Sequence, residues 1–483
     1  MEAAAKNSGW VLAGKGVERF FRIVVVIVIA RALGVRGFGV YSFAFAFAEM
    51  FAILTDAGLH TILVREIARD REQAPRLLGS ALLLKWLLSV LGWLAAWVVA
   101  VWTIPAGEPL WSALAASFLL FVSFRVTSFR MIFDAPFEAG LKMATPVVIG
   151  IGSELLSAAC LIAAALARWP IPALIGVQLA AFLPGFVILA RRSFREMRPV
   201  LGFDFSLWLR LLRMAIPVGI ANFFLIAYAR TDILMLGWMT DEVSVGMYSA
   251  AFKLTGSLTI MPMAITTSLL PLLSHAFGSG DSGKVSQIYR AALSIVVVAG
   301  LPVAVGGFLL AEEIIGLVYG AGYEPASRAL QILAPAMFFN FLLFVLVTSA
   351  VAVGRTGLFT AYAGLLALLN IALNALLIPS FGIVGASWAT LIAEGILMAA
   401  GLAVLRPSVG LPSGGAALRA LGAALLAGAV LIWLPGHLML RLFISAVLYA
   451  TLVYWGRGVT SEGTAAVEEL LRSKFRPRPT ESK

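Results

Sequence analysis

Apolar segments long enough to cross a membrane recur from one end of the chain to the other, and they constrain the fold most. A membrane-spanning helix needs about 20 predominantly apolar residues, and we read about fourteen such segments in the 483 residues. Hydrophobic residues make up 61% of the chain, against roughly 45–50% in soluble domains. The sequence therefore predicts an all-α polytopic membrane protein. The approximate segment limits are 10–34, 38–58, 76–104, 109–132, 145–167, 171–191, 212–238, 246–276, 288–311, 327–353, 357–378, 383–405, 415–434 and 437–456.

The charges between these segments predict the orientation. Basic residues concentrate in the even-numbered connections, as in Arg65, Arg69 and Arg71 after the second segment and the arginines of 191–198 after the sixth. The odd-numbered connections are neutral or acidic, apart mainly from Arg31, Arg36 and Arg168. Cytosolic loops carry an excess of Lys and Arg, so both termini are predicted to be cytosolic (N-in/C-in).

One stretch beside the second segment is amphipathic. In residues 59–73, apolar Leu59, Ile62, Leu63 and Ile67 recur at helical spacing, with Arg65, Arg69 and Asp70 between them. This pattern predicts a short helix lying on the cytosolic lipid headgroups.

An internal repeat relates the two halves of the chain. "GVERFF" at 16–21 recurs as "GIANFF" at 219–224, and "FGVYSFAF" at 38–45 recurs as "VGMYSAAF" at 245–252. The first segment thus matches the seventh, and an even separation makes the repeat parallel, with a site expected between the halves. We predict an N-lobe at 1–200 (helices 1–6) and a C-lobe at 201–408 (helices 7–12). Helices 13–14 occupy 409–456, and a cytosolic tail occupies 457–483.

Four charges lie in the first apolar segment. Lys15, Glu18, Arg19 and Arg22 are spaced i, i+3, i+4 and i+7, so they share one helical face. Each charge at the membrane centre costs about 2.5–3.5 kcal/mol, whereas the apolar residues of the segment together return about 4 kcal/mol. This face cannot contact lipid. Either its charges pair inside the bundle, or the face lines a hydrated cavity, where its net positive charge would suit an anionic ligand.

Further ionisable residues lie in the apolar segments. We expect Arg230 and Lys253 to line the same cavity and to bind substrate together with Lys15, Arg19 and Arg22. Glu18, Glu49, Asp232 and Glu394 are predicted to act in ion coupling or in charge pairing. Lys85 and Arg125 lie toward cytosolic ends, where long side chains extend to the headgroups.

The sequence contains no complete catalytic motif that we recognise. "GWVLAGKG" at 9–16 lacks the Ser or Thr that a phosphate-binding loop needs for magnesium, because its next position is Gly16. Cys160 is the only cysteine and the three histidines are scattered, so no metal site is expected. The outside connections are too short for a catalytic domain. We therefore expect neither an enzyme nor a bound cofactor, and coupling to a proton or sodium gradient stays open.

Longer motifs resemble a known family. "VIARALGVRGFGVYSFAFAFAEMFAILTDAGLHTILVREIAR", "ARTDILMLGWMTDEVSVGMYSAAFKL" and "NALLIPSFGIVGASWATLIAE" are similar to the polysaccharide transporters, the Wzx-type flippases of lipid-linked oligosaccharides. These belong to the multidrug/oligosaccharidyl-lipid/polysaccharide exporter superfamily. The resemblance implies two six-helix lobes in a V, alternating access, and a cationic central cavity that holds a pyrophosphate. By position, that role falls on Lys15, Arg19 and Arg22, joined by Arg230 and Lys253.

The resemblance also implies substrate and surroundings. The substrate would be a polyprenyl-pyrophosphate-linked oligosaccharide, such as an O-antigen repeat unit, moved to the outer leaflet of the cytoplasmic (inner) membrane. The appended helices would form a groove for the polyprenyl tail. Expected partners are membrane lipids and polysaccharide polymerase machinery, without nucleic acid, and the protein would be a monomer. A lipid II-type flippase, a multidrug exporter of the same fold and a non-transporting scaffold remain the alternatives.

Overall fold

The structure is a computed structural model that describes residues 2–354, 356–409, 414–435 and 437–455. Throughout these ranges the chain forms α-helices and one 3₁₀-helix, without strands, which confirms the all-α prediction. The α-helices are α1 (Glu2–Asp56), α2 (Leu59–Arg69), α3 (Ala74–Thr103), α4 (Glu108–Ser117), α5 (Leu119–Val122), α6 (Ala135–Ala139), α7 (Ala144–Leu166), α8 (Ile171–Glu196), α9 (Phe205–Met239), α10 (Glu242–Ser257), α11 (Ile260–Gly278), α12 (Ser282–Leu309), α13 (Ala311–Tyr319), α14 (Ala326–Ala352), α15 (Thr356–Val409), α16 (Gly414–Trp433) and α17 (Leu438–Trp455).

The helices account for the predicted number of membrane spans. Within the described residues, ten helical stretches are long and apolar enough to cross a membrane. Both α1 and α15 contain two spans, because Gly34 (φ 68°) and Gly382 (φ 53°) adopt a backbone conformation that other residues rarely tolerate. Two shorter apolar stretches, Glu108–Val122 and Ala417–Trp433, bring the total to fourteen. The chain is thus a multi-pass membrane protein.

The fourth span is shorter than predicted. The sequence predicted one span over 109–132, but helix α5 ends at Val122 and Ser123 is extended. The Ser123 hydroxyl accepts hydrogen bonds from the backbone N–H groups of Arg125 (2.9 Å) and Val126 (3.1 Å). A serine that bonds the following backbone in this way competes with helix formation. The chain therefore runs irregularly from residue 123 to the 3₁₀-helix at Phe129–Phe133.

Helix α2 forms as predicted, but its apolar face does not lie on lipid. Leu59, Leu63 and Ile67 are buried in a cluster that also contains Leu78 of α3 and Leu211 of α9. Since this face is covered by protein, the predicted contact between it and the headgroups is wrong. Amphipathicity alone cannot distinguish a protein partner from a membrane surface.

Lys85 does not extend toward the headgroups, as the sequence had suggested. Only 1% of its side chain is exposed, and its ammonium group forms an ion pair with the carboxylate of Asp56 at the end of α1. The same carboxylate accepts a hydrogen bond from the His60 backbone N–H at 3.3 Å. Because α3 and α1 lie side by side here, a buried partner lies closer to Lys85 than the lipid headgroups.

Packing divides the chain into two compact units. Unit 1 comprises Met1–Ala250, Val318–Tyr323 and Asn370–Ile383, and unit 2 comprises Ala251–Leu317, Glu324–Leu369 and Val384–Lys483. The lobes at 1–200 and 201–408 were defined by the sequence repeat rather than by packing, so their limits stay a prediction. The predicted tail at 457–483 lies outside the described residues.

In unit 2, the appended helices pack on α12. Ala420 and Ala424 of α16 are buried against Leu301, and Tyr449 of α17 donates a hydrogen bond to the Val298 carbonyl at 2.8 Å. Small residues on α16 allow the helix backbones to approach closely, as is usual where membrane helices pack together. The opposite faces of α16 and α17 are exposed and apolar, with Leu418 and Phe443 as examples.

Candidate functional site

The charged face of α1 is the core of the predicted site, and the structure describes half of it. Arg19 and Arg22 are half-buried in unit 1. The side chains of Lys15 and Glu18 lie outside the described residues, so the predicted pairing within the face is not addressed. Gly14 lies one residue before Lys15, and a Cβ atom there would come within 2.4 Å of Val147 in α7. The helix α1 therefore packs closely against α7 at this point.

A polar cluster in unit 1 consists of Tyr41, Arg125, Glu154 and Gln178, and the charge of Arg22 reaches it at the Tyr41 hydroxyl. Arg125 Nε donates to Glu154 Oε2 at 2.8 Å. Arg125 also hydrogen-bonds the Tyr41 hydroxyl, and Arg22 lies close enough to that hydroxyl to act on it electrostatically. The Tyr41 hydroxyl donates to Gln178 Oε1 at 3.4 Å. Four helical or irregular elements thus place charged and polar groups at one point inside unit 1.

The irregular segment after α5 positions the arginines of this region. The Ser123 carbonyl accepts hydrogen bonds from the Ser128 hydroxyl (2.9 Å) and from Arg130 Nε (3.0 Å). The Arg130 guanidinium lies 4.3 Å from the centre of the Phe124 ring and 3.0 Å from Asp134 Oδ2. In membrane proteins, irregular backbone at this depth occurs where it is buried in protein or lines a water-filled cavity. The break in the fourth span therefore fits a polar site.

A cavity of about 210 Å³ adjoins the polar cluster. Its charged lining comes from Arg130, Asp134 and Glu154, and Gly14 of α1 contributes to its wall. A water molecule takes about 30 Å³ in the liquid, so this space suits several waters or a phosphate-sized group and is too small for an oligosaccharide. The remaining lining residues are Phe124, Met143, Pro146, Val147, Gly150 and Ile151.

The charged residues that line this cavity are one arginine, Arg130, and two carboxylates, Asp134 and Glu154. Arg130 is paired with Asp134, and Arg125 of the adjoining polar cluster is paired with Glu154. Burial raises the pKa of Asp134 above its usual range, although the Arg130 guanidinium opposes this. The site therefore takes up a proton at Asp134 more readily than a surface aspartate would. Protonation would remove one negative charge from the cavity lining.

Other predicted residues lie in separate contacts of unit 1. Arg230 of α9 forms an ion pair with Glu49 of α1, and both side chains are partly exposed. Asp232 is buried; Tyr248 donates to one of its carboxylate oxygens, and Asn374 Nδ2 donates to the other at 2.6 Å. Charge pairing is thus observed for Glu49, and hydrogen bonding for Asp232.

Two predicted residues belong to unit 2. Lys253 is half-buried in α10. Glu394 is buried in α15, where its Oε1 accepts a hydrogen bond from Asn340 Nδ2 at 2.8 Å. A buried carboxyl with an amide partner suits either a structural or an ion-binding role. The roles of Arg230, Lys253, Asp232 and Glu394 stay predictions.

Sequence reasoning noted Arg125 and Glu154 as ionisable residues in apolar segments but did not bring them together with Tyr41 and Gln178. Arg125 had been expected to extend toward the headgroups, and this was wrong, because Glu154 and Tyr41 hold it inside the protein. The available signal was the run "SFRVTSFR" at 123–130, in which two arginines and three hydroxyl residues interrupt an apolar segment. Gln178 gave no signal beyond being a polar residue in an apolar helix.

Comparison with known proteins shows the family to which this chain belongs. The family model described as "Polysaccharide biosynthesis protein" matches residues 4–277, more than half of the sequence. The chain belongs to this polysaccharide biosynthesis family. A second model, MatE, matches residues 217–376.

Individual relatives agree with the family assignment. A probable low-salt glycan biosynthesis flippase, Agl15 of Haloferax volcanii, is 25% identical over 42% of this chain and 40% of its own length. The match thus spans less than half of that relative. A putative O-antigen transporter of Shigella flexneri is 23% identical over 79% of this chain and 93% of its own.

A solved structure shows the same fold. The lipid II flippase MurJ, in an inward closed conformation, aligns with a TM-score of 0.72 over 92% of this chain and 98% of its own, at 15% identity. At this identity the likeness concerns the fold alone. It supports the fold class predicted for this chain, an all-α polytopic membrane protein.

Proposed function

We propose that this protein is a transporter, not an enzyme, and that it flips a polyprenyl-pyrophosphate-linked oligosaccharide from the cytosolic to the outer leaflet. The observation that carries the proposal is the half-buried Arg22 of α1, whose charge reaches the Tyr41 hydroxyl of the polar cluster beside a broken membrane helix. Arginine presents a planar set of donors that matches phosphate oxygens. A pyrophosphate cannot enter hydrocarbon alone, so fixed cationic groups must replace its water of hydration.

The names of the relatives support this substrate class. One relative is named a probable flippase of glycan biosynthesis and another a putative O-antigen transporter. The physical requirement is the same for any of these sugars, because the charge that must be sheltered lies on the pyrophosphate. A lipid II-type flippase or multidrug exporter has less support; a multidrug exporter of organic cations would favour an acidic lumen, whereas the charged face of the first segment is net positive.

We assign supporting roles to the other predicted residues. Lys15, Arg19, Arg230 and Lys253 would extend the cationic surface along which the pyrophosphate moves. Asp232 and Glu394, buried with amide partners, are the candidates for coupling to a proton or sodium gradient. The exposed apolar faces of α16 and α17 would hold the polyprenyl tail outside the hydrated path. The proposal also includes polysaccharide polymerase machinery as a partner and a monomeric state for the protein.

A glycine contact supports alternating access. A Cβ atom on Gly39 would lie 1.7 Å from the Glu242 carbonyl oxygen, and one on Gly246 would lie 2.1 Å from the Val35 carbonyl oxygen. The contact is reciprocal, and its two sides are related by the same repeat offset of 207 residues. The two repeats thus meet backbone to backbone at the end predicted to face outside. Opening that side requires this contact to separate.

Replacing Gly39 with alanine is expected to shift the protein toward a state open to the outside. The added methyl group cannot fit beside the Glu242 carbonyl, so the closed contact is destabilised. We would measure labelling of a cysteine at Ser42, which is buried one turn away, with a membrane-impermeant maleimide in a Cys160→Ser background. Labelling should increase with Gly39→Ala and stay low with Gly152→Ala, since no atom lies within 4 Å of the Cβ position at Gly152. If Ser42→Cys stays as protected from the maleimide in abundant Gly39→Ala protein as it is without that substitution, the proposed role of the glycine contact in closing the outside is contradicted.

The proposed function is tested by deletion and complementation. Cells without this protein should lose the surface polysaccharide and accumulate the lipid-linked oligosaccharide on the cytosolic leaflet. The accumulated intermediate would be measured by mass spectrometry of extracted lipids and by protection from an externally added glycosidase. Surface polysaccharide at the parental level in the deletion strain would contradict the proposal.

A further inference from the structure

The connection between α8 and α9 is extended and is fastened to the start of α3. The Val200 N–H donates to the Pro75 carbonyl at 2.9 Å. The Val200 carbonyl oxygen lies so close to Gly79 that a Cβ there would approach it to 2.0 Å. Arg76 Nη2 donates to Asp204 Oδ2 at 2.9 Å. The connection is therefore held in one place by backbone and side-chain contacts.

The first turn of α9 is anchored to the same helix. Asp204 caps α9 by accepting from the Leu207 N–H at 2.9 Å, and this bond, followed by Arg76, holds the pKa of Asp204 below its usual range. Trp208 Nε1 donates to the Ser80 carbonyl at 3.0 Å, and the Phe203 ring packs edge-on against Trp208 at 4.7 Å. Phe203 thus has a defined position although its outer side is open.

This fixed connection presents large apolar side chains outward. Val200, Leu201, Phe203 and Phe205, hereafter the linker patch, are 59%, 66%, 72% and 66% exposed. A loop in water would not keep four such side chains exposed next to one another, so a patch of this kind marks an interaction site. Because α9, which begins at Phe205, is long and apolar enough to cross a membrane, the patch lies at one end of a candidate membrane span.

Arginines surround the linker patch. Six of them are exposed over 191–213. The acidic residues of the same stretch are engaged, since Glu196 accepts from Lys142 at 2.5 Å and Asp204 accepts from Arg76. The surface therefore combines exposed arginines with exposed apolar side chains, although Arg210 also lies beside Glu66 and Asp70. The six arginines are Arg191, Arg192, Arg195, Arg198, Arg210 and Arg213.

We infer that the linker patch inserts into the cytosolic leaflet and that the surrounding arginines bind anionic phospholipid headgroups. Apolar residues at headgroup depth, flanked by basic residues, are the recognised features of binding to an anionic leaflet. A soluble protein or a nucleic acid would match the arginines but would not explain four apolar side chains at one end of a candidate membrane span. The patch fixes α3 and α9 at one depth in the membrane, whatever sugar is transported.

Depth-sensitive spin labelling tests this inference. Phe203→Cys, in a Cys160→Ser background, would carry a nitroxide in nanodiscs of phosphatidylcholine alone or mixed with phosphatidylglycerol. For each label we would measure the ratio of its accessibility to oxygen to its accessibility to a water-soluble nickel chelate. In the anionic discs we expect this ratio to be several-fold higher for the Phe203→Cys label than for a matched Glu72→Cys label. Glu72 is exposed in the neighbouring turn between α2 and α3, without apolar neighbours of this kind.

A second set of variants separates charge from insertion. Arg192→Gln, Arg195→Gln and Arg198→Gln together should reduce the effect of phosphatidylglycerol on the Phe203→Cys label, because each basic residue near the surface adds attraction to an anionic leaflet. A label at Phe203 that is as accessible to the chelate as one at Glu72 would overturn the inference. Identical accessibility in neutral and anionic discs would overturn the part played by the arginines.

Discussion

Lys85→Ala is expected to destabilise the protein by about 3–5 kcal/mol, because it leaves the buried carboxylate of Asp56 without its ion pair. Both side chains are inaccessible, at 1% and 8% exposure, so water cannot replace the lost partner. The same carboxylate supports the corner between α1 and α2 through the His60 N–H. Thermal unfolding of the detergent-solubilised protein, followed by the loss of monodisperse protein, would measure the effect.

A surface pair provides the control. Lys142 and Glu196 are also within ion-pair distance, at 2.5 Å, but the Lys142 side chain is 59% exposed. Lys142→Ala should therefore change the free energy of unfolding by at most about 1 kcal/mol. The double variant Asp56→Asn, Lys85→Met should recover much of the stability lost in Lys85→Ala, since it removes both charges. If Lys85→Ala melts no earlier than Lys142→Ala, the buried pair is not stabilising the corner.

Arg22→Ala is expected to abolish export of the surface polysaccharide while leaving protein abundance unchanged. Arg22 is half-buried and its charge reaches the Tyr41 hydroxyl, and the proposed function uses this charge to shelter the pyrophosphate. Charge-assisted contacts to phosphate are stronger than neutral ones. Loss of one should slow transport at least tenfold, which corresponds to about 1.4 kcal/mol. Export would be measured as surface polysaccharide per unit of membrane-inserted protein.

Arg36→Ala is the matched control for Arg22→Ala. Arg36 lies on the same helix and is 73% exposed at the end predicted to face outside, 3.8 Å from Glu242. Its removal takes away the same charge without touching the cavity, so export should stay near the parental level. Equal loss in both variants would indicate a general effect of net charge rather than a binding role for Arg22.

Much of the fold could be predicted because hydrophobicity fixes the spans. A membrane helix satisfies its own backbone, so each apolar run of about 20 residues forms a helix whatever surrounds it. The bends at Gly34 and Gly382 fall where short polar or glycine-containing connections were expected. The break after Val122 was not predicted, because it depends on local hydrogen bonds from Ser123.

The candidate site was harder to predict than the fold. The face that carries Arg22 stood out, because charges at helical spacing in an apolar segment are costly. Its neighbours Tyr41, Glu154 and Gln178 come from distant parts of the sequence, and only packing brings them together. Lys85 shows the same limit, since its position near a segment end indicated the headgroups whereas its partner Asp56 was available in three dimensions.

The central claim is that the arginine face of α1 holds the pyrophosphate during transport, and reconstituted flipping tests it most directly. Proteoliposomes would contain the purified protein and a polyprenyl-pyrophosphate carrying a short fluorescent oligosaccharide, with quenching from outside to report its leaflet. We predict flipping by the parental protein and by Arg36→Ala, and loss of flipping by Arg22→Ala. Flipping by Arg22→Ala at the parental rate would contradict the account.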